Sequence, residues 1–186
     1  MKKSKLHEHV IVAVLSAISI VLMLIEFPIL PGATFLKLDF SLIIMLLGTL
    51  MYGLNNGILI VVLTMILHLI LKGFDPFNLV GCLVAFFADL SVIIPMYFLS
   101  KKNNKFNFKS VLIATVSLVV VMLLLNKFIT FPLYIKIGGL PKSTDINALL
   151  LTAVLPFNVL KGIIITSLFN IVYMNLKPWM EHHKNL

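Results

Sequence analysis

The stretches that decide the fold are residues 118–131, LVVVMLLLNKFITF, and residues 149–169, LLLTAVLPFNVLKGIIITSLF. Each reads as a membrane-spanning segment, yet each carries a lysine, Lys127 in the first and Lys161 in the second. A charge in hydrocarbon is costly, so an ionisable residue at that depth points first to a functional site. Both lysines have polar neighbours at helical spacing. Asn126 and Thr130 are four apart, and Asn158 and Lys161 are three apart, so each pair shares a helix face. Polar faces on separate apolar helices imply that something polar is held between them.

Working outward, the chain has 186 residues, is 60% hydrophobic and has a mean hydropathy of +1.09. That apolar share is well above the usual range for soluble domains. The reading is an all-α membrane protein in which residues 1–186 form a single integral membrane domain. The apolar runs mark six transmembrane helices at about 10–27, 40–54, 56–71, 78–99, 110–131 and 149–175. Helices are expected throughout, because they satisfy their own backbone groups in lipid. The first run follows KKSK and has the look of a signal peptide, but no small-x-small cleavage site precedes Glu26 and Pro28. It is read as a retained helix.

The net charge of +8 comes from lysine alone, since the sequence contains no arginine. Arginine is the preferred reader of phosphates and base edges, so nucleic acid is not an expected partner. The lysines orient the chain instead. Lys2, Lys3, Lys5, Lys101, Lys102, Lys105, Lys109, Lys177 and Lys184 fall on one side, and Lys37, Lys72, Lys136 and Lys142 on the other. The positive-inside rule places the first group, with both termini, in the cytoplasm. Trp179 and Tyr173 fit an interfacial aromatic belt at that end. The opposite, outer loops are residues 26–39, 71–78 and 132–147, rich in Pro, Gly and aromatics, which suits structured caps.

With the orientation set, the polar residues fall at one depth. Asn126, Thr130, Asn158 and Lys161 lie in the outer half, and Glu26 and Asp39 lie at the outer ends of the first two spans. Together they describe an outward-facing pocket with apolar walls and a few placed polar groups, as a small-molecule site requires. Simpler roles stand beside this. Lys127 is placed to snorkel to the outer headgroups, and Lys161 to pair structurally with Asp39 or Glu26. Asn126 and Asn158 suit interhelical hydrogen bonds. Asp89 and His68 suit helix packing or a structural pair.

Ala13 and Ala17 form a small-xxx-small pair on the first span, with Ser16 alongside. Such spacing permits close approach of another helix, within this bundle or from another subunit. Phosphate-loop, nucleophile-elbow and H-E-x-x-H motifs are missing from the sequence. The one cysteine, Cys82, excludes an intrachain disulfide, and His182 and His183 sit in the tail; no metal site is expected. A binding subunit that takes its energy from partners is the expectation, not an enzyme.

Three motifs carry a family resemblance: PGATFLKLDFS (31–41), NKFITFPLY (126–134) and LPFNVLKGIII (155–165). Together they resemble the riboflavin-specific S component of energy-coupling factor (ECF) transporters, the RibU type, over nearly the whole chain. The resemblance implies a high-affinity riboflavin-binding subunit of an ABC-type importer in the cell membrane. It further implies a membrane T subunit, two ABC-type ATPase partners, and no cofactor, riboflavin being cargo. It assigns Ala13 and Ala17 to docking on the T subunit. The flat ring of riboflavin suits walls from Phe35, Leu36 and Phe131. Its imide edge suits Asn126, Asn158 and Lys161, and its polyol suits Asp39, Glu26 or loop backbone. Thr130 completes the expected lining. The competing readings are an S component for another vitamin such as thiamine, a membrane enzyme built on Asp89, His68 and the lysines, and a non-binding structural subunit.

Overall fold

The computed structural model describes residues 5–103 and 108–184. Lys2, Lys3 and Lys105, three lysines of the expected cytoplasmic set, lie outside the described residues, as do the side chains of Lys5, Lys101, Lys102, Trp179, His182, His183 and Lys184.

The chain begins with α1 (Lys5–Leu24), which stops before Pro28. Proline lacks the N–H that would continue the helix and forces the residue before it into extended geometry. The chain therefore leaves the helix earlier than the expected end at 27. It makes an antiparallel two-stranded ribbon, β1 (Phe27–Pro28) with β2 (Lys37–Leu38), in the register Phe27↔Leu38 and Pro28↔Lys37. After the ribbon come α2 (Ser41–Tyr52), α3 (Leu54–Lys72) and α4 (Pro76–Asn103). Gly53, at φ 90°, makes the reversal between α2 and α3, a conformation that other residues adopt only with strain.

The second half is more irregular. Helix α5 (Phe108–Leu125) passes through a π-helical turn (Asn126–Thr130) into α6 (Phe131–Lys136). Helix α7 (Ile146–Leu149) passes through a second π turn (Leu150–Val154) into α8 (Leu155–Lys184). Each π turn ends two residues before a proline, Pro132 and Pro156. A proline ring clashes with the carbonyl four residues back. The wider turn moves that carbonyl aside, so both helices run through these prolines, and the fifth helical stretch continues to Lys136, past its expected end at 131. The regular α-helix expected for every span is corrected at these two places.

Among the described residues, five helical stretches are long and apolar enough to cross a membrane: Leu6–Leu24, Leu54–Lys72, Pro76–Ser100, Phe108–Lys136 and Ile146–Pro178. The sixth apolar helix, α2, has 12 residues. That is roughly 18 Å of helix, short of the ~30 Å hydrocarbon core. Its position explains its uniform apolarity. It packs against α1, α3, α4 and α8 at once and buries Leu42, Met45, Leu46 and Leu47. The outer faces are apolar too, as lipid requires. Leu112, Val116, Val120 and Leu124 form an exposed row along α5, as do Val10, Val14 and Ile18 along α1.

Candidate functional site

Between the ribbon and the ends of α3, α4, α5 and α8 lies a cavity of about 430 Å³. Its size falls in the range of small-molecule sites. The π turns pack against each other beside it.

All eight residues expected to contact the ligand line this cavity: Glu26, Phe35, Leu36, Asp39, Asn126, Thr130, Asn158 and Lys161. Phe131 lines it as well and is almost fully buried. Phe35 is half exposed at the mouth.

Asn126, the first residue of the π turn that follows α5, and Asn158, on α8, are both buried. Each fixes its amide by donating one hydrogen to the carbonyl four residues back, Asn126 Nδ2 to Met122 O at 2.7 Å and Asn158 Nδ2 to Val154 O at 2.8 Å. An amide has two donors and a carbonyl acceptor, so each keeps a donor and an oxygen for a ligand. Thr130 Oγ1 donates to Leu125 O at 3.3 Å, five residues back, as π geometry allows.

Lys161 Nζ stands 3.7 Å from Asp39 Oδ2, with both side chains mostly buried. This is the structural pair weighed for Lys161, with Asp39 and not Glu26 as its partner. Asp39 Oδ1 accepts from Ser41 N at 2.9 Å and from Ser41 Oγ, so the same carboxylate ties down the start of α2. Glu26 is held elsewhere, by Lys37 at 2.6 Å across the ribbon and by Lys72 of α3 at 3.9 Å. That cluster sits at the rim.

Lys127 behaves differently from Lys161. It is exposed, its ammonium lies 5.7 Å from the centre of the Phe128 ring, and it is not part of the cavity lining. It stands on the outside of the bundle, away from the lining that its neighbour Asn126 joins.

The sequence reading missed one wall. Helix α4 contributes Phe77, Asn78, Gly81, Cys82, Val84, Ala85 and Ala88. Most are small or apolar and sit in an apolar run, so no charge or spacing marks them. His68, read as a packing residue, lines the cavity with its Nδ1 3.4 Å from Cys82 Sγ, and Tyr134 lines it from α6. Among the described residues no group of three metal-ligating side chains occurs.

Away from the cavity, Ala13 and Ala17 are both exposed on α1, while Ser16 turns inward and donates to Val12 O at 2.8 Å. The small-residue pair therefore does not pack inside this bundle.

The sequence profile of a family described as "ECF transporter, substrate-specific component" matches residues 7–173. The chain belongs to the substrate-specific (S) components of ECF transporters. As an S component it is a substrate-binding subunit and not an enzyme. It is 35% identical over 190 residues to the riboflavin transporter FmnP of Bacillus subtilis, covering 100% of this chain and 98% of that protein. It is 32% identical to the riboflavin transporter RibU of Streptococcus thermophilus, over 89% of this chain and 81% of that one. A solved S component of a bacterial ECF transporter matches with a TM-score of 0.78 and 29% identity, over 95% of this chain and 99% of that one.

Proposed function

We propose that this S component captures riboflavin from outside the cell and delivers it inward with an ATP-driven partner module. The observation that carries this is the lining of the cavity. Two anchored amides and a part-buried ammonium–carboxylate pair face an otherwise largely apolar chamber.

Riboflavin has complementary parts. Its tricyclic ring is flat and apolar on both faces, and Phe35, Leu36 and Phe131 provide matching walls. Its imide edge alternates acceptor, donor and acceptor. The free oxygens and hydrogens of Asn126 and Asn158, with the ammonium of Lys161, pair with that edge. The polyol chain lies toward Asp39, Thr130 and Glu26, where acceptors and a hydroxyl are available. A ligand without these groups leaves the buried amides unpaired, which strongly disfavours it. The riboflavin-transporter names of the relatives support this choice over thiamine.

The remaining features fit the same account. The lysine bias puts both termini in the cytoplasm and the ribbon outside. The short α2 is the sixth crossing, completed by the chain around the ribbon. Exposed Ala13 and Ala17 offer a helix-docking face for a membrane T subunit, which two ABC-type ATPases energise. The protein needs no cofactor of its own.

Purification in detergent from riboflavin-fed cells tests this reading. The protein should emerge yellow, and the apo form should quench added riboflavin fluorescence at one site per chain. A colourless preparation that takes up no flavin but binds thiamine, or nothing, overturns it.

A further inference from the structure

His68 of α3 and Cys82 of α4 meet in the cavity wall, and both line the chamber. One turn above them the same two helices are tied together, with Asn78 Nδ2 donating to Lys72 O at 3.0 Å. Lys72 also reaches Glu26 at 3.9 Å. His68 therefore stands one helical turn, roughly 6 Å of rise, below the Glu26 cluster at the rim.

The two ring nitrogens of His68 have different surroundings. Nδ1 is 3.4 Å from Cys82 Sγ. Cys82 is buried, and its thiol donates to Met65 O at 3.6 Å. A thiol has one hydrogen, and a carbonyl has none to give. Both contacts are hydrogen bonds only if Nδ1 carries the ring hydrogen and donates it to the sulfur. This bonding pattern assigns the tautomer of the neutral imidazole and leaves Nε2 as an acceptor. Among the described residues Nε2 has no hydrogen-bond partner. The neighbouring acceptors are already engaged, Glu26 by two lysines and Asp39 Oδ1 by Ser41. A polyol hydroxyl on this side of the cavity needs an acceptor for its hydrogen, and Nε2 is uncommitted.

We propose that His68 is a ligand-binding residue whose Nε2 accepts a hydrogen from a polyol hydroxyl of the bound flavin, and that Cys82 is a positioning residue that orients the ring. This rests on the riboflavin reading of the same cavity.

Two flavins test it. Riboflavin and lumiflavin, the same ring with a methyl group in place of the polyol, are titrated by fluorescence quenching. The amide nitrogen of His68→Asn overlays Nδ1 and keeps the sulfur contact, but the side chain ends short of Nε2. The amide of His68→Gln reaches the Nε2 position. His68→Asn is expected to bind riboflavin about tenfold more weakly and lumiflavin within about twofold of the wild type, while His68→Gln stays within about threefold for both. Cys82→Ala is expected to weaken riboflavin about threefold in the wild-type background and not at all in the His68→Asn background. Cys82→Ser, which accepts and donates in the same places, should restore the affinity. Equal losses for the two flavins from His68→Asn, or no loss for riboflavin, overturn the ligand contact and leave His68 a packing residue. Equal losses from Cys82→Ala in both backgrounds overturn the positioning role. His68→Phe, close in shape and without an acceptor, gives the same comparison if His68→Asn does not fold. The wild-type titration reads the riboflavin reading separately: if the wild type does not bind riboflavin, that reading fails and this proposal falls with it.

Discussion

Lys161 of α8 and Asp39 at the threshold of α2 meet at 3.7 Å across the cavity, with both side chains mostly buried. Asp39 has two tasks, since it also accepts from Ser41 N and holds the first turn of α2. The tasks separate by substitution. Asp39→Asn keeps an acceptor for Ser41 and loses the charge; Asp39→Ala loses both. Both variants should bind riboflavin at least about tenfold more weakly, but only Asp39→Ala should also lose about 1 kcal/mol of stability, the usual worth of a helix-start acceptor. Thermal unfolding without ligand distinguishes them, and equal melting temperatures would remove the structural half of the argument.

The two membrane lysines should behave oppositely. Lys161 lines the cavity and Lys127 does not. Lys161→Ala is expected to weaken riboflavin binding by tenfold or more, on the order of 1.4 kcal/mol. Lys127→Ala is expected to leave the affinity within about twofold, since a loosely placed surface charge contributes little. Titration of both purified variants checks this, and a large loss from Lys127→Ala contradicts the outward placement of that side chain.

The different fates of these lysines show what spacing reveals and what it hides. Asn126 and Thr130, and Asn158 and Lys161, announced their shared faces through i, i+4 and i, i+3 separation, and the structure brings all four to one cavity. The lipid-facing rows were equally legible as apolarity. Which way Lys127 turns depends on a π-helical distortion that follows from Pro132, a local geometry that no apolar periodicity encodes. The α4 wall was silent for another reason. Gly81, Cys82 and Ala85 make room by being small, and in a membrane helix small residues look the same whether they admit a ligand or another helix. The length of α2 was visible as a short run, but its central burial came only from seeing four helices around it.

Asn126 and Asn158 should matter to binding more than to folding. Each amide bonds only within its own helix. Their replacement by alanine therefore removes no hydrogen bond between helices. Asn158→Ala is expected to cost riboflavin tenfold or more in affinity, about 1.4 kcal/mol, with the ligand-free melting temperature nearly unchanged. The ligand-induced rise in melting temperature, which scales with the logarithm of ligand excess over Kd, should shrink accordingly. A large drop in ligand-free stability with affinity intact would instead make the amide a packing element.

Two glycines offer a last contrast, because one lies in a tight helix crossing and the other beside open space. A Cβ on Gly162 would meet Thr115 Cγ2 at 2.8 Å and Thr115 Cα at 3.0 Å, so α5 and α8 approach through that glycine. Gly162→Ala must push the helices apart next to Lys161, and overpacking of this kind costs about 1–3 kcal/mol. On Gly81 a Cβ would meet only the Tyr134 hydroxyl, at 3.9 Å, an ordinary contact, and it would project into the cavity. Gly81→Ala is therefore expected to keep its melting temperature while weakening riboflavin binding, by filling space the ring needs. Gly162→Ala is expected to lower both. Thermal unfolding with and without riboflavin separates the two, and a Gly81→Ala variant that binds as tightly as the wild type would show that α4 is not a wall of the ligand site.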